Sequence, residues 1–376
     1  MSEPRHPGQI LAEELVRRGW TQLDLAFVLG CQAKAVNQIV NGKQGISPAM
    51  SRALGEALGF APEFFADLRK AYDVANANPP DPSVSLRARM QANYPIREMV
   101  KRGWLKDGNA DELAKRLMRF FEVGNLSEVP YLAFAAKTPV LEQNPSAIQL
   151  AWLFRVRQIA KTMVTRPFSE KLLASCIPTM RQFLSAPEGA RHVPRVLAEC
   201  GVRFVVAEGL PHSKIDGVCF WLGESSPVIG ISTRFDRIDN FWFVLRHEIE
   251  HVLRRHGGLS INGMIDAELV GERAGVGEQL LEEERVANAA AADFCVPEEK
   301  ITSFITRKSP LLYEKDVVAF SRLHGIHPGI TVGQIQYRTG RYDFLKRYQV
   351  KIRQYVLPGA RVDGWGQTTD IEEMTA

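Results

Sequence analysis

The chain has 376 residues, 45 % of them hydrophobic and 24 % charged, with 47 lysines and arginines against 43 aspartates and glutamates. That balance excludes a disordered chain, a fibre and a coiled-coil rod, and the length exceeds what one core organises, so two or three domains are expected. No run approaches ~18 uninterrupted apolar residues, so no spanning helix and no membrane partner are expected. The opening MSEPRHPGQILAEEL lacks a signal-peptide core. The cysteines at 31, 176, 200, 219 and 295 form no CxxC pair, so neither a disulfide framework nor a thiolate zinc site is expected. The chain reads as cytoplasmic.

Residues 1–76 show short helical runs divided by glycines. Five helices are expected, over 9–18, from Thr21 to Leu29, and over 32–40, 47–58 and 62–72. Thr21 and Asp24 make a capping-box pattern, Leu25, Ala26 and Leu29 a buried stripe, and Gly30 suits a tight turn. In the next helix Val36 and Ile39 face inward, leaving Gln32, Ala33, Lys34, Asn37 and Gln38 outward or near its start. That layout is a helix-turn-helix. Gln and Asn suit adenine edges, Lys34 and Lys43 suit phosphates, and Gln22 completes the DNA-facing set. Up to residue 78 there are eight basic and eight acidic residues, so this reading rests on pattern and not on charge. A five-helix module for dimerisation or protein contact is the structural alternative.

The motifs HPGQILAEEL, TQLDLAFVLG, IVNGKQGISPAM and ALGFAPEFF occur in order, and this segment resembles the HigA-type antitoxin branch of the phage-repressor-like DNA-binding proteins. The resemblance covers about the first 72 residues. It implies a homodimer on palindromic operator DNA.

The stretch NANPPDP sets a linker over residues 77–83. From 84 to 200 apolar residues recur at helical spacing: Leu113, Leu117, Phe120 and Phe121; Leu150, Leu153, Phe154 and Ile159; Leu172, Leu173, Ile177 and Met180. The period then changes. RFVVAE, GVCFWLG and PVIGIS read as three short strands in the region 202–231, and the Gly/Glu-rich residues 257–283 as an open loop.

The decisive motif is HEIEH at 247–251. Histidines four apart lie on one helix face, where both imidazoles can hold one tetrahedral metal while Glu248 reaches a metal-bound water. From eight histidines and 43 acidic residues, only about 0.02 such matches are expected by chance. Thr233 with Asp236 is expected to cap this helix, and Phe241, Val244, Leu245 and Val252 to form its apolar stripe. Downstream, EEERVANAAAADFCVP reads as a helix ended by Pro297, with five alanines that permit close approach to the metal helix. Glu284 and Asn288 share a face. Glu284 can supply a carboxylate ligand and Asn288 a hydrogen bond to a ligating histidine, against a plain acidic helix start over Glu282, Glu283 and Glu284. His256 falls off the metal face and reads as surface. His327, in LHGIHPG, is weighed as a proton donor or oxyanion partner, but its proline–glycine turn favours a structural role.

HEIEHVL followed by ERVANAAAADFCVP resembles the ImmA/IrrE family of metallo-endopeptidases, as does FSRLHGIHPGITVGQIQYRTGRYDFL. The span from about 84 to 355 is similar to proteins in which a HigA-like domain is fused to this peptidase domain. The resemblance implies one Zn2+ per chain held by His247, His251 and Glu284, with Glu248 as the catalytic glutamate. It departs from the usual pattern at Glu250, where glycine is common, and at Val286, where an acidic residue is.

The expected fold is mainly α, α+β overall. A helix-turn-helix domain (1–76), the linker (77–83) and a helical intermediate region (84–200) precede a zincin-like peptidase domain with a small sheet (201–355) and a C-terminal tail (356–376). The expected function is DNA-binding regulation joined to zinc-dependent cleavage of a repressor-like protein. The alternative is a non-enzymatic HigA-like antitoxin whose zinc domain senses a signal or binds a cognate toxin.

Overall fold

In the computed structural model, which describes residues 4–126, 145–256, 264–267 and 282–371, the chain divides into two units, Met1–Pro82 and Ser83–Ala376. The first holds α1 (Pro7–Arg18), α2 (Gln22–Leu29), α3 (Ala33–Val40), α4 (Pro48–Leu58) and α5 (Phe64–Asn76). Both halves of the Thr21–Asp24 capping box form, and Gly30 ends α2 in the left-handed region at φ 63°. Leu11, Leu25, Val36, Ile39, Leu54 and Phe65 fill the core, while Leu29 is only half-buried. The His6-Pro7-Gly8 motif starts α1. The imidazole Nδ1 of His6 accepts the Gly8 N–H at 3.0 Å. A Cβ on Gly8 would stand 2.3 and 2.6 Å from the carbonyl oxygens of Ile39 and Val40, so only glycine lets α1 seat on the last turn of α3.

The second unit opens with α6 (Pro82–Asn93), α7 (Ile96–Lys101), α8 (Ala110–Phe121), α9 (Ala147–Lys161), α10 (Glu170–Gln182) and α11 (Val193–Glu199). Strands β1 (Arg203–Ala207), β2 (Ile215–Trp221) and β3 (Pro227–Ile231) follow, then α12 (Ile238–Leu253) and β4 (Met264–Ala267). The chain continues through α13 (Glu282–Cys295), α14 (Glu298–Lys308), α15 (Glu314–Leu323), α16 (Pro328–Thr339), α17 (Arg353–Val356) and β5 (Arg361–Asp363). The fold is mainly helical around one small mixed sheet. Its order is β4-β2-β3-β1-β5, with β1 parallel to β3 and β5, and β2 antiparallel to β3 and β4.

Both faces of the sheet are buried at its central strands β1, β2 and β3, which are therefore largely apolar. Val205, Val218, Phe220 and Val228 point to one face, against Leu150, Trp152 and Val156 of α9 and the buried side of α8. Phe204, Val206, Cys219, Ile229 and Ile231 point to the other, against α12. In α10 Leu173 and Met180 are buried, but Leu172 is exposed.

Two strands go beyond the three expected. β4 lies within the stretch read as an open loop; the rest of that loop, 257–263 and 268–281, lies outside the described residues. β5 falls in the stretch read as a tail, which instead closes the sheet edge. Asp363, 1 % exposed, is the reason. Its carboxylate accepts Trp104 Nε1–H at 2.7 Å, Arg155 Nε–H at 2.9 Å and Nη2–H at 2.5 Å, and the Thr369 N–H at 3.1 Å. Asp363→Ala should strand the buried Arg155 guanidinium and cost about 3–5 kcal/mol, read as a lowered urea midpoint for the transition of the second unit.

Candidate metal centre

Residues Ile238, Phe241, Trp242 and every position from Val244 to Val252 of α12 are buried, so this helix lies in the core rather than on it. The expected stripe of Phe241, Val244, Leu245 and Val252 is part of that burial. Its start differs from expectation. Thr233 and Asp236 do not cap it; the N-cap is Arg237, without a side-chain cap bond. Thr233 stands at φ 46°, and its carbonyl oxygen accepts from Arg353 Nη2–H at 3.1 Å. Asp236 Oδ1 accepts the backbone N–H groups of Ile352 and Arg353 at 3.0 and 2.7 Å. Arg353 Nε–H also donates to Thr233 Oγ1 at 3.4 Å, so long-range bonds use both side-chain oxygens the local cap required.

His247 and His251 are both fully buried, and their Nε2 atoms stand 2.9 Å apart, aimed at one point. Glu284 on α13 brings Oε2 to 3.4 Å from His247 Nε2 and Oε1 to 3.5 Å from His251 Nε2. The side chain of Glu284 is 15 % exposed, against 68 % for Glu282 and 51 % for Glu283, so one of three adjacent carboxylates faces the histidines. Ala287 and Ala291, fully buried on the same helix, keep α13 close. These three groups could hold a metal ion. Asn288 is half-buried on the same helix.

The partner of His251 is His256, which the sequence pattern misplaces on the surface. The two Nδ1 atoms are 3.0 Å apart. If His251 Nε2 keeps its lone pair for a metal, its Nδ1 carries the proton and donates to His256 Nδ1. His256 Nε2 in turn lies 4.0 Å from Glu283. The helix C-terminus turns tightly enough to fold this residue back, with the His256 carbonyl accepting from Trp221 Nε1–H at 3.2 Å.

Glu248, also fully buried, faces β2. There Gly217 makes room for it: a Cβ at that position would lie 2.0 Å from Glu248 Oε1 and 3.0 Å from Val244 Cγ1. Sequence reasoning missed Gly217, although a glycine inside a strand pattern marks a close approach. Glu250 turns away from the histidines. Its carboxylate accepts from Arg246 at 2.7 Å and Arg254 at 2.9 Å. Burial pushes this carboxyl up, but the two arginines outweigh it and hold it below the usual range. His327 caps α16 through Nδ1, which accepts the Gly329 N–H at 3.0 Å, and burial lowers its pKa. The His-Pro-Gly cap is thus used twice in the chain. Burial pushes the Cys295 thiol up to about 12, so it offers no thiolate.

In the first unit Gln32, Lys34, Asn37 and Lys43 are exposed, and Gln22, Ala33 and Gln38 half-buried. Asn37 Nδ2–H donates to Gln22 Oε1 at 3.0 Å, which joins the start of α2 to the outer face of α3.

Comparison with known proteins assigns both ends of the chain to classes. The family described as "Helix-turn-helix" matches residues 11–65, and "IrrE N-terminal-like domain", a family of M78 peptidases, matches residues 201–314. The chain carries an XRE-like helix-turn-helix domain at its N-terminus and an IrrE/ImmA-like peptidase-family domain toward its C-terminus. Virulence-associated protein A' of Dichelobacter nodosus is 34 % identical over 76 residues, 20 % of this chain and 66 % of that protein. The chain thus spans just under two thirds of that relative. An addiction module antidote protein of a HigA family from Coxiella burnetii is 30 % identical, covering 24 % of this chain and 95 % of the other, with a TM-score of 0.20. Antitoxin HigA of Pseudomonas aeruginosa, solved with the higBA promoter, is 32 % identical over 24 % of this chain and 86 % of the other, with a TM-score of 0.18.

Metal titration of five variants separates the donors. Glu284→Ala should strip bound zinc, while Glu282→Ala and Glu283→Ala leave loading near wild type. His256→Ala should weaken affinity about 10–100-fold, as expected for a partner that orients a ligand. Gly217→Ala should leave zinc loading intact as well, because the added methyl meets Glu248 and not one of the three candidate metal donors.

Proposed function

We propose that this chain is an operator-binding regulator that carries a zinc-dependent endopeptidase acting on a repressor-like protein. The observation that carries the reading is the convergence of His247, His251 and Glu284 on one point, with Glu248 on the adjoining face of the same buried helix. Two imidazole nitrogens and one carboxylate are a donor set that fits zinc, whereas magnesium and calcium favour all-oxygen shells. Three protein donors are also the number with which a catalytic zinc site would hold its ion. When bound, zinc lowers the pKa of a coordinated water and polarises a scissile carbonyl.

The chain's own residues supply the rest. Glu248, buried against Gly217, has a carboxylate that takes the proton of the attacking water and returns it to the departing amine, so one group serves as base and then acid. Protonated at Nδ1, His251 keeps its ring fixed through His256. Glu250 takes no part, because Arg246 and Arg254 engage both its oxygens. In the first unit, Asn37 and Gln38 read base edges while Lys34 and Lys43 anchor to phosphate, and a homodimer sets two such helices on a palindrome. The helix-turn-helix family match over residues 11–65 supports this half of the reading.

Glu248→Gln should keep about one zinc per chain, and cleavage of a co-expressed repressor-like protein should fall about 10²–10⁴-fold. Cleavage and regulatory output both unchanged in this variant would favour the non-enzymatic reading, with the zinc domain as a sensor or toxin-binding module.

A further inference from the structure

The two units differ in charge. Met1–Pro82 carries eight basic and nine acidic residues. Residues 338–361 carry seven basic residues and one acidic, and the remainder of the second unit carries 32 basic and 33 acidic. The whole positive excess of the chain therefore sits in 24 residues.

The structure holds this segment in place. Between α16 and α17 it has no regular element except a short turn at Lys346–Tyr348. Its backbone is anchored all the same. Gln336 Nε2–H donates to the Phe344 carbonyl at 2.8 Å, the Val350 carbonyl accepts the Ile238 N–H at 3.1 Å, and Ile352 is fully buried. Phe344 and Tyr348 pack inward against the core. Three of the cations are spent on carboxylates: Arg338 on Glu298, Arg347 on Glu314 and Arg353 on Asp236. Arg341, Lys346 and Lys351 are exposed and pair with no carboxylate among the described residues.

We infer that Arg341, Lys346 and Lys351 form a second, sequence-independent contact to the phosphates of duplex DNA. The inference rests on the operator-binding reading above. Polyanion binding is driven mainly by release of counterions from neutralised phosphates, and a helix-turn-helix unit with a net negative charge supplies little of that drive. Exposed cations on one anchored segment of the same chain, Arg341 stacked over Phe344 and none of them neutralised by a carboxylate among the described residues, supply it, and their tether raises the local concentration of the first unit on the same DNA. A lipid surface fits less well, because Phe344, Tyr348 and Tyr355 of the segment pack against the core instead of being offered to a bilayer.

The test uses full-length protein, a duplex from the region upstream of its own gene, and an unrelated duplex of equal length. The variant R341Q/K346Q/K351Q should bind both duplexes at least about tenfold more weakly at 0.1 M salt, with the slope of log K against log salt reduced by up to about 2.7. Preference for the upstream duplex should be unchanged. Circular dichroism checks folding, and K115Q/R119Q/K171Q, an equal loss of exposed charge elsewhere, should match wild type. Wild-type affinity and slope in the first variant would overturn the inference. So would a loss confined to binding of anionic vesicles or an acidic peptide. A wild-type protein with no preference for its upstream duplex would defeat the operator reading instead, and Asn37→Ala, which should weaken only that preference, tells the two failures apart.

Discussion

A helix that is buried on every side and yet carries two imidazoles, two carboxylates and a guanidinium sets the terms for everything around it. Buried polar groups are costly unless each meets a complementary partner, and α12 has them at Arg246, His247, Glu248, Glu250 and His251. The surroundings are built to suit. Gly217 yields space to Glu248, Ala287 and Ala291 let α13 bring Glu284 in, and His256 folds back onto His251. Glu250 is flanked by arginines one turn either way, so its charge is answered within the helix. Each accommodation is specific to one side chain, and a larger residue at Gly217 or Ala287 would move a donor rather than merely fill a gap.

The same constraint explains why strands β1, β2 and β3 are buried on both faces. A helix sunk this deep needs a rigid floor, and β2 provides it only if its far side is also covered. Helix α9, backed by α8, covers that side of the sheet, with Gly230 giving Trp152 and Val156 of α9 the close approach that Gly217 gives Glu248 on the opposite face. The two glycines differ by an odd number of residues along separate strands, yet each opens the face its neighbour requires. Asp363 then locks the edge strand β5 to Trp104 and Arg155, tying residues more than 200 positions apart into one layer.

How much of this was legible in the sequence follows from where each interaction lives. Periodic burial and local caps are short-range, so the helices, the Thr21 capping box, three strands and the grouping of Glu284 with the histidine pair could be read directly. What failed was local reasoning about residues with distant partners. Thr233 and Asp236 have the spacing of a cap, but their oxygens are taken by Ile352 and Arg353. His256 lies off the helical face of the metal histidines, and only the break of the helix after Leu253 returns it to them. β5 is three residues long with one fully buried side chain, too short for a period to show.

The His-Pro-Gly caps show the opposite case, where a local motif fixes a long-range contact. At both sites the histidine Nδ1 accepts the N–H of the glycine two residues on, and at both the glycine is pressed against another element. A Cβ on Gly329 would stand 2.3 Å from the Tyr348 carbonyl and 2.9 Å from Ile238 Cγ2, at the first turn of the metal helix. That carbonyl belongs to the basic segment, and its neighbour Val350 bonds the Ile238 N–H. One three-residue motif thus positions the start of α12 and the backbone that displays Lys346 and Lys351. The buried histidine pair and the exposed cations are held by one piece of scaffold, so a displacement of α16 would be felt at both.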